Sequence, residues 1–219
     1  MDTEKNIIID NVNDTNNVND IVTDGIVDEF IYIKKNNLPK DLCLTLIDLF
    51  ETDTDRYNGV IMGGYRPKIK QSLDLNIVKN KNKIHEKCDI ELYELLKNEL
   101  QNYFNLIKKK EYNTFGLINV KDSGFLLKKY IKNEGFYKYH NDFHVQTDKN
   151  NYRILTYLWY LNDVEEGGET SFFNGKIKIK PEQGKLIIFP ASWTYPHAGL
   201  TPKSSNKYIV LGWVYTDLS

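Results

Sequence analysis

Gly135-Phe136-Tyr137-Lys138-Tyr139-His140-Asn141-Asp142 is the stretch on which the reading of this chain turns. A strand is predicted over 135–143. On a strand His140 and Asp142, two positions apart, leave the same face, so a ring nitrogen and a carboxylate oxygen converge on one point. A third donor far along the chain, His197, would complete two histidines and one carboxylate on one side of a transition ion. That donor set suits non-haem ferrous iron and leaves the opposite side open for exchange.

Downstream lie Arg153-Ile154-Leu155-Thr156-Tyr157-Leu158-Trp159-Tyr160-Leu161-Asn162-Asp163, then Gly167-Gly168-Glu169-Thr170-Ser171-Phe172, then His197, and Lys207 ten residues later. A His-x-Asp pair alone recurs by chance in many chains; the ordered series is far more specific. In that order the chain resembles the iron(II)- and 2-oxoglutarate-dependent dioxygenases, and within them the prolyl 4-hydroxylase branch. The resemblance is strong over roughly the C-terminal 95 residues and weak from Phe30 to Leu75.

The resemblance implies His140, Asp142 and His197 as iron ligands, and Lys207 as the cation that anchors the distal carboxylate of 2-oxoglutarate. A lysine supplies that charge as a point partner rather than a rigid fork. Tyr130 and Thr156 are candidate donors to the same carboxylate, although one more residue separates Tyr130 from the metal pair than in the usual pattern. Tyr137, three residues before His140, faces co-substrate or substrate in this reading, and Trp213 either matches a family tryptophan near the pocket or serves the core. Arg153, Trp159, Tyr139, Trp193 and His144 are candidates for a substrate groove; His144 is assigned no metal contact. His85 is read as an ordinary surface residue. The implied cofactors are Fe(2+), 2-oxoglutarate and O2, with ascorbate as an accessory reductant. A retained Asp142 argues against a halogenating relative, in which a small residue vacates a coordination position.

A chain of 219 residues can bury a core without disulfides, and one catalytic domain over 25–219 behind a flexible or loosely docked leader over 1–24 is the expectation. With 29 basic and 30 acidic residues and no long run of one sign, nothing predicts bulk attraction to nucleic acid or to an anionic membrane. Cys43 and Cys88 sit among apolar residues and fit no metal-ligand spacing, so they are read as buried thiols, with a bridge between them as the alternative. No apolar run is long enough to span a bilayer and no export signal is visible, which makes an intracellular, cytoplasmic location the default.

In chain order, a strand is predicted from Ile26 to Ile33 and a helix after Pro39, with Cys43, Leu46, Ile47 and Phe50 at helical spacing. Short strands and turns follow over 56–77, a segment that lies near the mouth of the active site in the resembled enzymes. A long helix from Ile84 to Lys108 carries the stripe Leu92, Leu95, Leu96, Leu100, Tyr103, Phe104 and Ile107. After Gly116 the pattern becomes strands: 125–131, 135–143, 152–161, 176–180, 185–189, 197–200 and 207–215. The run 152–161 is bulky on both alternating sets, as in a central strand covered on both sides. Helices early and strands late predict an α+β chain with a double-stranded β-helix, or jelly-roll, core and N-terminal supporting helices.

The leading functional expectation is hydroxylation of a proline in a peptide or protein, with aromatic residues stacking on the ring. A free amino acid or other small metabolite is the alternative substrate. A non-enzymatic jelly-roll binding protein and a nucleic-acid demethylase stand further off. Oligomeric state is not written in the sequence.

Overall fold

The computed structural model describes residues 5–7, 30–110 and 120–217. Most of the expected leader therefore lies outside the described residues, as do the predicted strand residues before Phe30; within it, Lys5–Ile7 pairs antiparallel with Val120–Asp122. Two antiparallel sheets face one another. The larger runs in the order Tyr32–Lys34, Leu186–Pro190, Asn151–Tyr160, Lys207–Asp217, Leu126–Tyr130, Leu73–Asn76 and Tyr57–Asn58. The smaller runs Ile177–Ile179, Thr170–Phe172, His197–Gly199, Phe136–His140 and Lys70–Gln71. This is the expected α+β arrangement, a double-stranded β-helix with its helices packed outside.

Strand Asn151–Tyr160 explains how one run serves two interiors. It sits between Leu186–Pro190 and Lys207–Asp217, and alternation sends its residues to opposite faces. Leu155, Tyr157, Trp159 and Leu161 join a core with the helices, while Leu158 and Tyr160 point into the barrel. Helix α1 (Lys40–Thr52) and helix α2 (Lys83–Lys109) cover the outer face through Leu42, Leu46, Phe50, Leu92, Leu96 and Leu100, all 3 % exposed or less. Burying such a side chain is worth about 1.5–3 kcal/mol. The stripe is therefore scaffold, as its spacing indicated.

Pro39 precedes α1, where its missing N–H costs nothing, and Asn82 caps α2 by accepting from Ile84 and His85 N–H. His85 departs from the surface expectation. It is fully buried: its Nδ1 accepts from Val78 N–H at 3.1 Å and its Nε2 lies 2.8 Å from Asp53 at the end of α1. The residue locks the two helix ends together, a role its sequence neighbours do not reveal. Cys43 and Cys88 are buried free thiols in the same core, and burial pushes both up to about 11. They are correspondingly unreactive.

Among the described residues, no helix is long and apolar enough to cross a membrane.

Candidate metal centre

His140 ends its strand, and His197 begins the strand paired with it; the two are register partners. Their ring centroids are 4.3 Å apart. Asp142 is not on the strand, contrary to the sequence reading. Asn141 Oδ1 accepts from Phe143 N–H at 3.1 Å, and this local turn ends the ladder and swings Asp142 inward. Turn chemistry, rather than strand alternation, brings the carboxylate beside the imidazoles.

The donor atoms fit a metal ion. Nδ1 of His140 donates to Lys138 O at 2.8 Å and Nδ1 of His197 donates to Tyr195 O at 3.1 Å. Each backbone carbonyl fixes the ring with its proton on Nδ1, leaving the Nε2 lone pair free to ligate. The two Nε2 atoms face one carboxylate, at 3.6 Å from Asp142 Oδ1 and 3.5 Å from Oδ2. All three donors lie within 4.8 Å of one another. Burial, then the neighbouring His197, pushes His140 down to about 3, so its imidazole is neutral. Burial raises Asp142, but His197, His140 and the Thr156 hydroxyl outweigh it and hold the carboxyl well below its usual range. Two imidazoles and one carboxylate are the facial set of non-haem ferrous iron.

Thr156 reaches this cluster from the larger sheet. Its Oγ1 donates to Asp142 Oδ2 at 2.8 Å, so its hydroxyl is committed to the ligand carboxylate rather than to the distal carboxylate of a co-substrate. Thr156→Val keeps the shape and removes the donor; ferrous iron affinity, read by anaerobic titration, is expected to fall by about 10- to 100-fold.

The cluster opens on a cavity of about 420 Å³. Lys207 lines it from strand Lys207–Asp217, only 2 % exposed. Its Nζ donates to Gly168 O at 2.8 Å and lies 4.4 Å from the centroid of the Tyr130 ring, its register partner. Gly167 and Gly168 have φ of +70° and +76°, a conformation that glycine adopts freely and that aims this carbonyl inward. No carboxylate of the described residues is in ion-pair contact with Lys207, and burial pushes its ammonium down to about 7. Tyr130 faces the cavity even with the additional residue. A tight turn over 131–135 follows it, with Gly135 so close to Tyr130 that a Cβ would come within 2.6 Å of the Tyr130 Cα.

Tyr137 stacks on His140 at 3.5 Å between centroids, and burial followed by Asp142 pushes its phenol up to about 12. Arg153, His144 and Trp213 also line the cavity. Arg153 lies 3.8 Å over the Trp213 ring and donates to Tyr215 Oη at 2.7 Å. Three groove candidates are elsewhere. Trp159 is fully buried on the helix side, donating to Asn37 Oδ1 at 2.7 Å, because alternation turns it away from the barrel. Tyr139 likewise lies on the opposite strand face from His140 and bonds Ser171. Trp193 is 74 % exposed and does not line the cavity.

The segment 56–77, expected near the mouth, supplies Lys70 and Asp74 to the wall, with Val60, Ile61 and Met62 nearer the rim; none of these was singled out individually, and Lys128 lies outside the segment altogether. The signal for Lys128 was available. In Leu126-Leu127-Lys128-Lys129-Tyr130, alternation gives Lys128 the same face as Tyr130.

Solved structures share this fold. The viral collagen prolyl hydroxylase of Paramecium bursaria Chlorella virus-1, determined as its 2OG complex, is 23 % identical, covering 89 % of this chain and 98 % of its own at a TM-score of 0.60. A Pseudomonas putida prolyl-4-hydroxylase is 18 % identical over 84 % of this chain and 91 % of its own, TM-score 0.59. A Trichoplax adhaerens prolyl hydroxylase, in complex with a hypoxia inducible factor oxygen degradation domain peptide fragment, is 18 % identical over 86 % and 84 %, TM-score 0.63. No curated protein matches the sequence. The sequence model of the 2OG-Fe(II) oxygenase superfamily matches residues 125–215. That span begins just before the strand carrying Tyr130 and ends beyond Trp213, so it takes in all three metal donors and the buried lysine beside them. Over residues 125–215 the chain is therefore similar to the 2OG-Fe(II) oxygenase superfamily, and it brings the donor set of a non-haem iron centre together there in a prolyl-4-hydroxylase-like fold.

Proposed function

We propose that the enzyme hydroxylates prolyl residues in a peptide or protein, with His140, Asp142 and His197 holding iron and Lys207 holding 2-oxoglutarate. The observation that carries the site assignment is a buried ammonium with no carboxylate of the described residues in ion-pair contact, in the same cavity as two imidazoles and a carboxylate. Iron with 2-oxoglutarate supplies oxidative decarboxylation to succinate coupled to insertion of one oxygen atom of O2 into a C–H bond. The protein does the rest by placement. Lys207 and Tyr130 receive the distal carboxylate, where a desolvated cation is a strong and oriented partner. Thr156 holds Asp142 in one rotamer, and the two backbone carbonyls hold the histidines in one tautomer.

Support for a prolyl target comes from the named activities of the structural neighbours and from an apolar rim. Met62 is 81 % exposed and Phe143 47 % exposed, and both line the cavity. With Ile61 and the Tyr137 ring they offer surface for an extended chain and a proline ring.

Incubation of the iron-loaded enzyme with proline-rich peptides and 2-oxoglutarate is expected to yield peptide heavier by one oxygen atom, in equal amounts with succinate. Succinate formation with no modified peptide, but with an oxidised small metabolite, would move the assignment to that substrate class.

A further inference from the structure

Two lysines and one aspartate form a second charged cluster on the cavity wall, apart from Lys207. Asp74 Oδ2 lies 2.8 Å from Lys70 Nζ and 3.6 Å from Lys128 Nζ, and Asp74 Oδ1 accepts from Ser72 Oγ at 2.7 Å. Lys70 also donates to Val60 O at 3.1 Å. All three charged side chains are at least 95 % buried. One carboxylate thus faces two ammonium groups, and its oxygens are already engaged by Lys70 and Ser72. The Lys128 ammonium, 3.6 Å from Asp74 Oδ2, makes no hydrogen bond to an oxygen within 3.5 Å among the described residues. A buried charge with its donors unspent is costly unless something else meets it.

The position of the cluster says what that is. Lys128 pairs across the strands with Asp74 on one side and Ile209 on the other, and it stands one inward position from Tyr130. Lys207, partnered with Tyr130, is therefore separated from it by about 7 Å along the strands. Lys70 pairs with Tyr137, the residue stacked on His140, and its ammonium lies 5.5 Å from the Tyr137 ring. Apart from Arg153, which is engaged by Tyr215 Oη and the Trp213 ring, the cavity therefore presents two cationic places beside the metal donors, both supplied by lysines. A co-substrate whose other end ligates iron fills one of them.

We propose that Lys128, held by Asp74 and Lys70, is an anion subsite that receives a carboxylate of the primary substrate. The substrate class is then an acidic one: a peptide with Glu or Asp close to the oxidised residue, or a free amino acid through its own carboxylate. The proposal rests on the hydroxylase reading above for the identity of the cavity, but not on proline as the target. The charge count carries it, since a purely structural staple between the sheets would need one lysine for one aspartate.

The test is binding to enzyme loaded with zinc in place of iron and saturated with 2-oxoglutarate. Four peptides are compared that carry Pro or Ala at the centre and Glu or Gln beside it, together with free proline and prolinamide. A Glu-over-Gln or proline-over-prolinamide preference of about ten- to hundredfold is expected. Lys128→Met should erase it, Lys128→Arg should retain most of it, and 2-oxoglutarate affinity should stay unchanged in both. Equal binding of acidic and amide forms overturns the proposal. So does a Lys128→Met variant that loses 2-oxoglutarate affinity while keeping the preference, or one that only melts earlier. Loss of a Pro-over-Ala preference alone overturns the prolyl assignment and leaves the subsite standing.

Discussion

Replacing His140 with alanine is expected to abolish ferrous iron binding and all turnover, whereas His144→Ala leaves iron affinity within a few-fold of the parent. The two histidines are four residues apart and both border the cavity, yet only one aims a fixed lone pair at Asp142. His140 has its Nδ1 proton committed to Lys138 O and its Nε2 3.6 Å from the carboxylate. Removing it leaves two donors, and the loss should exceed the roughly 10- to 100-fold that follows when only an outer hydrogen-bond partner is removed. His144 belongs to no group of donors within ligating reach among the described residues. Anaerobic iron titration of both variants decides the point. Retained tight binding in His140→Ala would refute the assignment of the metal centre.

Lys207→Met is the second large effect. A carboxylate docked in a buried pocket without its cation forfeits about 2–5 kcal/mol, so KM for 2-oxoglutarate should rise roughly 30-fold to several thousandfold. Lys207→Arg should rescue little, because a rigid fork does not fit where Gly168 O and the Tyr130 ring confine a point charge. The pH dependence has a definite sign. In the free protein burial pushes Lys207 down to about 7. Below that pH the ammonium stands ready; above it, binding must first take up a proton. KM for 2-oxoglutarate should therefore climb by about tenfold per pH unit above 7, until the pKa of the complex is reached. In Lys207→Met that slope disappears. A flat profile in the parent would show that the lysine stays charged without its ligand.

How much of this was legible before the fold was known depends on the kind of signal. The helices and the central strand declared themselves because burial repeats at a fixed period: Leu92, Leu96 and Leu100 on one side of α2, and both alternating sets of Asn151–Tyr160. The donors were found by order and spacing, although the reason offered for Asp142 was mistaken. A one-residue turn bond, Asn141 to Phe143, does what continued strand pairing was expected to do. Trp159 and Tyr139 went astray because composition says that an aromatic residue is present and not which side of a sheet it faces. Thr156 was placed in the right cavity with the wrong partner, since a hydroxyl takes whichever acceptor lies nearest. Asp74 and Lys70 fell in the segment expected near the mouth, but their pairing was not legible, because it depends on a crossing between sheets at Ser72 that no local pattern encodes.

The two imidazoles come from neighbouring strands of the smaller sheet, and the carboxylate between them is tethered to the larger one through Thr156. Whatever ion they share works as a rivet joining the two walls. Removal of the metal is therefore expected to lower the unfolding temperature of the barrel as well as to stop its chemistry, a difference that thermal melts with and without ferrous iron would read.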